Sequence, residues 1–141
     1  MGSSLMGNFM ATYLYIAIGS AFGGVARFWL SGVVARLIGE TFPWGTLIVN
    51  VTGSLAIGII AALTGPDGRI FMGSTARLAL MAGICGGYTT FSSFSLQTMS
   101  LFNDGEWLYG GANIAASVVL CLLAAWAGLM LGASLNALKW V

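Results

Sequence analysis

Four carboxylates divide this chain. Glu40, Asp67, Asp104 and Glu106 are its only acidic residues, and each lies in a short polar turn: GETFP at 39–43, GPDGR at 65–69 and NDGE at 103–106. The long stretches between the turns are apolar. Charged residues make up 6% of the chain, against about 25% in a soluble domain, so the chain cannot clothe a water-facing surface. The class that follows is an integral membrane protein. A helical span needs roughly 20 apolar residues. About four spans therefore use nearly all of the 141 residues, and no soluble domain fits beside them.

The sequence predicts an all-α membrane domain over 10–141 with four transmembrane helices. The spans are expected over about Met10 to Ile38, Trp44 to Thr64, Gly73 to Phe102 and Trp107 to Leu138. Residues 1–9, MGSSLMGNF, read as a leader or added residues. The first apolar stretch is too long, and lacks the basic n-region, for a secretory signal peptide. Trp44, Trp107 and Trp140 fall at span ends, where interfacial aromatics sit. With four spans, both termini share a side with the 65–69 loop. That side carries Arg69, Arg77 and Lys139, and the other carries Arg36. The bias leans toward cytoplasmic termini, yet is small enough for insertion in both orientations.

What the chain lacks excludes several functions. Histidine is absent, and Cys85 and Cys121 lie in apolar segments without metal-ligand spacing. No acidic residue lies within a span, whereas proton-coupled transporters rely on an intramembrane carboxylate. No nucleophile stands beside a base, so an enzyme is not expected, and nothing points to nucleic acid.

The third span holds GICGGYTTFSSFSLQTMS at 83–100. Gly86 and Gly87 each lower helix propensity by about 1 kcal/mol, and Thr89 and Thr90 offer caps for a restart. The segment reads as a helix, a break at the glycines and a second helix. Broken backbone at membrane depth is tolerated where it is buried in protein or lines a cavity. The alternative is a glycine kink with hydroxyls bonding back to the helix. Phe91 and Phe94 share a face of the restarted helix, interleaved with Ser92, Ser93 and Ser95. Ring edges are positive, so edges beside hydroxyl donors suit an anion.

Three other features carry polarity into the spans. Asn50 lies mid-span with Thr46 and Ser54 on its face, either as an interhelical bond or as an NH₂ donor to an anion. Arg27 lies well inside the first stretch, where an arginine is costly. It either draws anions toward a vestibule or snorkels to the interface. Tyr109, Asn113 and Ser117 form a stripe four residues apart in the fourth span. Glycine, at 21 residues, recurs in GSAFGG, GSLAIG and GLMLG. These small faces serve either packing within the chain or a homo-oligomer.

GSAFGGVARF (19–28), WGTLIVNVTGS (44–54) and GICGGYTTFSSFS (83–95) resemble the three signature blocks of the Fluc (CrcB) fluoride channels, in order and over about residues 10–138. The resemblance implies an antiparallel, dual-topology homodimer in the inner membrane. It also implies two pores passively exporting fluoride from the cytoplasm. It places Asn50, Phe91 and Phe94 at the pore, with Thr90, Ser92, Ser93 and Ser95 as a polar track. Tyr109 and Ser117 join the track, and Arg27 matches the vestibule arginine. A structural sodium ion on the dimer axis would be held by the main-chain carbonyls of Gly86 and Thr89. The chain departs from many members at Gln97, where they carry a glutamate. Two competing readings are a small four-helix proton-coupled transporter, which needs an embedded glutamate absent here, and a non-transporting membrane subunit, which has no use for the hydroxyl–phenylalanine run.

Overall fold

The computed structural model of the chain describes residues 2–138, with side chains described from residue 9 onward. Among the described residues all regular structure is helical. The leader assigned to residues 1–9 lies almost wholly outside the described side chains, and Lys139 and Trp140 lie outside the described residues.

Helix α1 (Gly2–Ile38) stops at Gly39, whose φ of +98° favours a residue without a Cβ. Phe42 is buried in the following turn, and α2 (Trp44–Leu63) begins at once. The hydroxyl of Thr64 then turns back to the Ile60 carbonyl at 2.6 Å. The loop beyond is tied to the end of α6 (Trp107–Ala137). There the Arg69 guanidinium donates to the Leu135 carbonyl at 2.6 Å, and Asn136 Nδ2 donates to the Ala62 carbonyl at 2.9 Å. Ahead of α6, Gly105 takes φ +82° in the turn after Asn103.

Three helices are long and apolar enough to cross a membrane: Phe9–Ile38 of α1, α2 and α6. The segment that the sequence marks as a third span is a bent helix assembled from pieces. It runs through α3 (Ser74–Leu78), a wide π-type stretch (Ala79–Cys85), the short turn α4 (Gly86–Tyr88), an extended pair at Thr89 and Thr90, and α5 (Phe91–Asn103). The chain is a multi-pass membrane protein. Phe22, Val25, Phe28, Leu122 and Trp126 point outward, as a lipid-facing surface requires. Trp44 and Trp107 are exposed at helix starts.

The break is not where the glycines stand. Gly86 is helical, with φ −65° and ψ −38°, and the chain leaves the helix only after Tyr88. Gly87 is small for another reason, while a Cβ on Gly86 would meet only the Met81 carbonyl oxygen at 3.7 Å. A Cβ on Gly87 would sit 2.6 Å from the Ser20 carbonyl oxygen of α1, and one on Gly23 would sit 2.7 Å from the Tyr88 nitrogen. Gly58 and Gly128 do the same for α2 against α6, each Cβ lying 3.0 Å from a backbone nitrogen of the other helix. The GSAFGG, GSLAIG and GLMLG stretches thus serve contacts within the chain.

The expected outcome of Gly87→Ala is a loss of about 1–3 kcal/mol, the usual cost of overfilling a tight site. Gly32→Ala, where a Cβ meets nothing within 4 Å, should be near neutral. Thermal unfolding of the two variants in detergent checks this, and equal midpoints would refute the close approach.

Candidate functional site

Interrupting a helix inside a bilayer frees backbone groups that have no water to turn to. Here side chains from two other helices take them up. The Thr89 amide donates to the Cys85 carbonyl at 3.0 Å, ending the first helix. In a continuing helix the Thr90 amide would donate to Gly86. Instead it donates to Asn50 Oδ1 at 2.7 Å, and Asn50 Nδ2 donates to the Thr90 carbonyl at 3.0 Å. One carboxamide thus grips both backbone groups of one residue, as a neighbouring strand would. Arg27 Nη1 donates to the Thr89 carbonyl at 3.2 Å. The hydroxyl of Thr52 meets that of Tyr88 at 2.8 Å, fixing the residue before the break.

The restart is capped from within. Thr90 is extended, with φ −152° and ψ 114°, and its hydroxyl accepts from the Ser93 amide at 3.2 Å. The same hydroxyl donates to Ser93 Oγ at 3.0 Å and lies 3.2 Å from Ser92 Oγ. Ser95 Oγ donates to the Phe91 carbonyl at 2.9 Å, so its proton is spent on its own helix. The Phe91 and Phe94 rings lie 5.1 Å apart, tilted by 51°. Phe94 is 8% exposed and Phe91 77%. One ring belongs to the interior and the other to an open face.

That face borders a cavity of about 440 Å³, lined among others by Asn50, Ser54, Gly86, Thr89, Phe91 and Ser117. Behind Phe94 lies a second polar cluster. Thr98 Oγ1 donates to the Phe94 carbonyl at 2.7 Å and accepts from Asn113 Nδ2 at 2.8 Å. Asn113 is 1% exposed, and Ser117 Oγ approaches its Oδ1 at 3.5 Å. Gln97 faces a different cavity of about 540 Å³, beside Phe28, Thr46 and Asp104, and its Oε1 is buried without a partner among the described residues. No group of three or more potential metal-ligating side chains occurs among the described residues.

A family profile described as "CrcB-like protein, Camphor Resistance (CrcB)" matches residues 14–129. The chain is 57% identical over 130 residues to a protein of Opitutus terrae named "Fluoride-specific ion channel FluC", covering 92% of this chain and 98% of that protein. A protein of the same name from Paramagnetospirillum magneticum is 58% identical over 119 residues, covering 84% and 93%. Another, from Methylocella silvestris, is 55% identical over 127 residues, covering 90% and 97%.

The chain belongs to the CrcB family.

In this CrcB chain the structure gathers Asn50, Thr89, Thr90, Phe91, Gly86 and Ser117 around one cavity. Ser92, Ser93 and Ser95 follow on the first turns of α5. Tyr109 stands apart: it is exposed at the start of α6, its ring edge-on to Phe42 at 6.3 Å. Arg27 acts on the break itself, through the Thr89 carbonyl. Thr98 was not singled out by the sequence reading. Its signal was its position four residues after Phe94, on the same face.

Thr98→Val keeps the shape, removes the acceptor of Asn113 Nδ2 and is expected to cost about 1–3 kcal/mol, the penalty for a stranded buried donor. Thr98→Ser keeps the hydroxyl and should recover most of it. Thermal unfolding of both variants in one detergent is the check, and equal stability of Thr98→Val and wild type would show that Asn113 finds another partner.

Proposed function

We propose that this chain is a fluoride channel that passively exports fluoride from the cytoplasm across the inner membrane, working as an antiparallel homodimer with two pores. The observation that carries the reading is the match, over nine-tenths of the chain, to proteins named fluoride-specific ion channels. The site chemistry agrees with it. α5 opens at the cavity with its first amides unpaired within the helix, and a helix N-terminus carries partial positive charge. Asn50 Nδ2 has a second hydrogen beyond the one given to Thr90. Hydroxyls and ring edges add further positive ends. Fluoride holds its water tightly, so a path for it must offer close donors in place of that shell. Such a reading calls for no bond-making step and hence no enzyme chemistry.

The open face supports a second copy. Phe91, Ser92 and Gly86 are exposed on the single chain, and a lone chain would set them against lipid rather than around a path. The small charge bias between the two sides supports insertion both ways up. A sodium ion on the dimer axis fits the oxygen donors in part. The Gly86 carbonyl is released from the helix ladder because the Thr90 amide turns to Asn50, while the Thr89 carbonyl already accepts from Arg27. Bound there, the ion would supply a fixed positive charge beside the path.

The decisive measurement is fluoride and chloride efflux from liposomes containing only this protein. Asn50→Asp is expected to nearly abolish fluoride efflux. A carboxylate removes the donor to Thr90, and it repels a passing anion by about 4 kcal/mol at 4 Å in an effective dielectric of 20. Wild-type efflux from a folded Asn50→Asp protein would remove Asn50 from the path, and chloride passing as fast as fluoride would remove the selectivity.

Phe94→Ile and Phe91→Ile keep bulk but delete the ring edge, and each should cut fluoride efflux sharply. Methionine, with its polarisable sulfur, should lose less. If the rings only fill space, such swaps cost under about 1.5 kcal/mol and leave efflux close to wild type. Efflux at matched protein density, with size-exclusion profiles beside it, separates the two.

A further inference from the structure

At the end of the molecule opposite the 39–43 turn, a cavity of about 550 Å³ opens between the end of α2, the 65–73 loop and the start of the broken crossing. Its lining is mixed in character: Thr64, Ser74 and Arg77 occur together with Phe71, Leu78 and Met81. Arg77 is half-buried and held in place: its Nε donates to Thr64 Oγ1 at 3.1 Å, and that hydroxyl is itself fixed on the Ile60 carbonyl at 2.6 Å. Among the described residues its two terminal amines meet no acceptor and no carboxylate. Asp67, the acid of the same loop, does not line the cavity. Phe71 beside it is 101% exposed, and Ile70 is exposed too.

We propose that this cavity is a binding site for an anionic phospholipid, its phosphate on the Arg77 guanidinium and an acyl chain along Leu78, Met81 and Phe71. The position fits, because span ends lie where hydrocarbon gives way to headgroups, and basic pockets between helices at that level take lipid phosphates. A guanidinium presents a planar fork of donors that suits a phosphate, and the geometry leaves two of its amines open. The apolar lining selects the source: a free phosphate would satisfy Arg77 but leave Phe71, Leu78 and Met81 uncovered. A fully exposed phenylalanine just ahead of a helix start is costly in water and favoured in the interface. The site is separate from the cavity at the break and independent of the channel reading.

The test is native mass spectrometry of the full chain in detergent, mixed with equal amounts of phosphatidylglycerol and phosphatidylcholine of the same acyl chains. Wild type is expected to retain phosphatidylglycerol preferentially. Arg77→Gln should lower that preference about fivefold, the factor equivalent to about 1 kcal/mol per basic residue near an anionic surface. Arg77→Lys should keep most of it. Phe71→Ser, at a position with no internal contacts to lose, should lower total retained lipid without changing the ratio, and it reads the site even if Arg77→Gln does not fold. An unchanged ratio in Arg77→Gln together with unchanged retention in Phe71→Ser would overturn the proposal. So would a thermal shift by inorganic phosphate equal to that by phosphatidylglycerol, which would mark a free-anion site. Loss of the dimer in Arg77→Gln without a change in lipid ratio would mark the face as a contact between copies, and would overturn it too.

Discussion

The structure depends on two hydrogen bonds between the Asn50 carboxamide and the backbone of Thr90. A helix cannot simply stop inside a bilayer, because each freed amide or carbonyl costs several kcal/mol there. Asn50 gives the Thr90 amide and carbonyl partners that neither water nor lipid could supply, and Arg27 does the same for the Thr89 carbonyl. With those groups satisfied, the chain can run extended for two residues and begin α5 at the edge of the cavity. Asn50 is thus first a clamp on the break, and its remaining hydrogen is what it has left to offer the cavity.

The clamp works only if three segments converge within a few ångströms. Glycines arrange that convergence. Gly23 and Gly87 bring α1 against the broken segment, which places Arg27 at the Thr89 carbonyl. A Cβ on Gly53 would collide with the Thr89 methyl and lie 3.0 Å from the Tyr88 ring, so α2 lies directly beneath the break and Asn50 reaches it. On the far side Gly58 and Gly128 seat α2 against α6, and Asn113 is buried with Thr98 where α5 meets α6. Dispersion and hydrogen bonding, not water exclusion, must hold such contacts in lipid, and close approach raises both.

Much of this was legible in the sequence. The turns at 39–43, 65–69 and 103–106 separate the helical segments as expected, because the acids they carry have no place within a span. The restart at Thr90 was legible too, since a threonine ahead of a helix has a specific task. The exact point of the break was not. A glycine such as Gly87 signals weak helix and close contact with the same letter, and only the position of Ser20 across the gap shows which applies. The stripe Tyr109, Asn113 and Ser117 follows helical spacing, yet only Asn113 bonds to α5, through Thr98, while Ser117 bonds to Asn113 and Tyr109 lies exposed at the start of α6 against Phe42. Whether Asn50 faces a neighbour or a cavity was likewise undecidable from α2 alone, because both partners lie 40 residues downstream.

The contact between α1 and the broken segment has a mechanical consequence. Where Gly23 and Gly87 meet the opposite backbone, no side chain stands between the two main chains to act as a cushion by changing rotamer. Protein interiors are nearly incompressible and transmit strain. The other side of α1, at Phe22, Val25 and Phe28, is exposed where lipid lies. A displacement of α1 there is therefore passed by main-chain contact to Gly87 and Tyr88, with Arg27 as the side-chain link to Thr89. The surface of α1 and the interrupted backbone behind it thus form one stiff wall, two main chains thick.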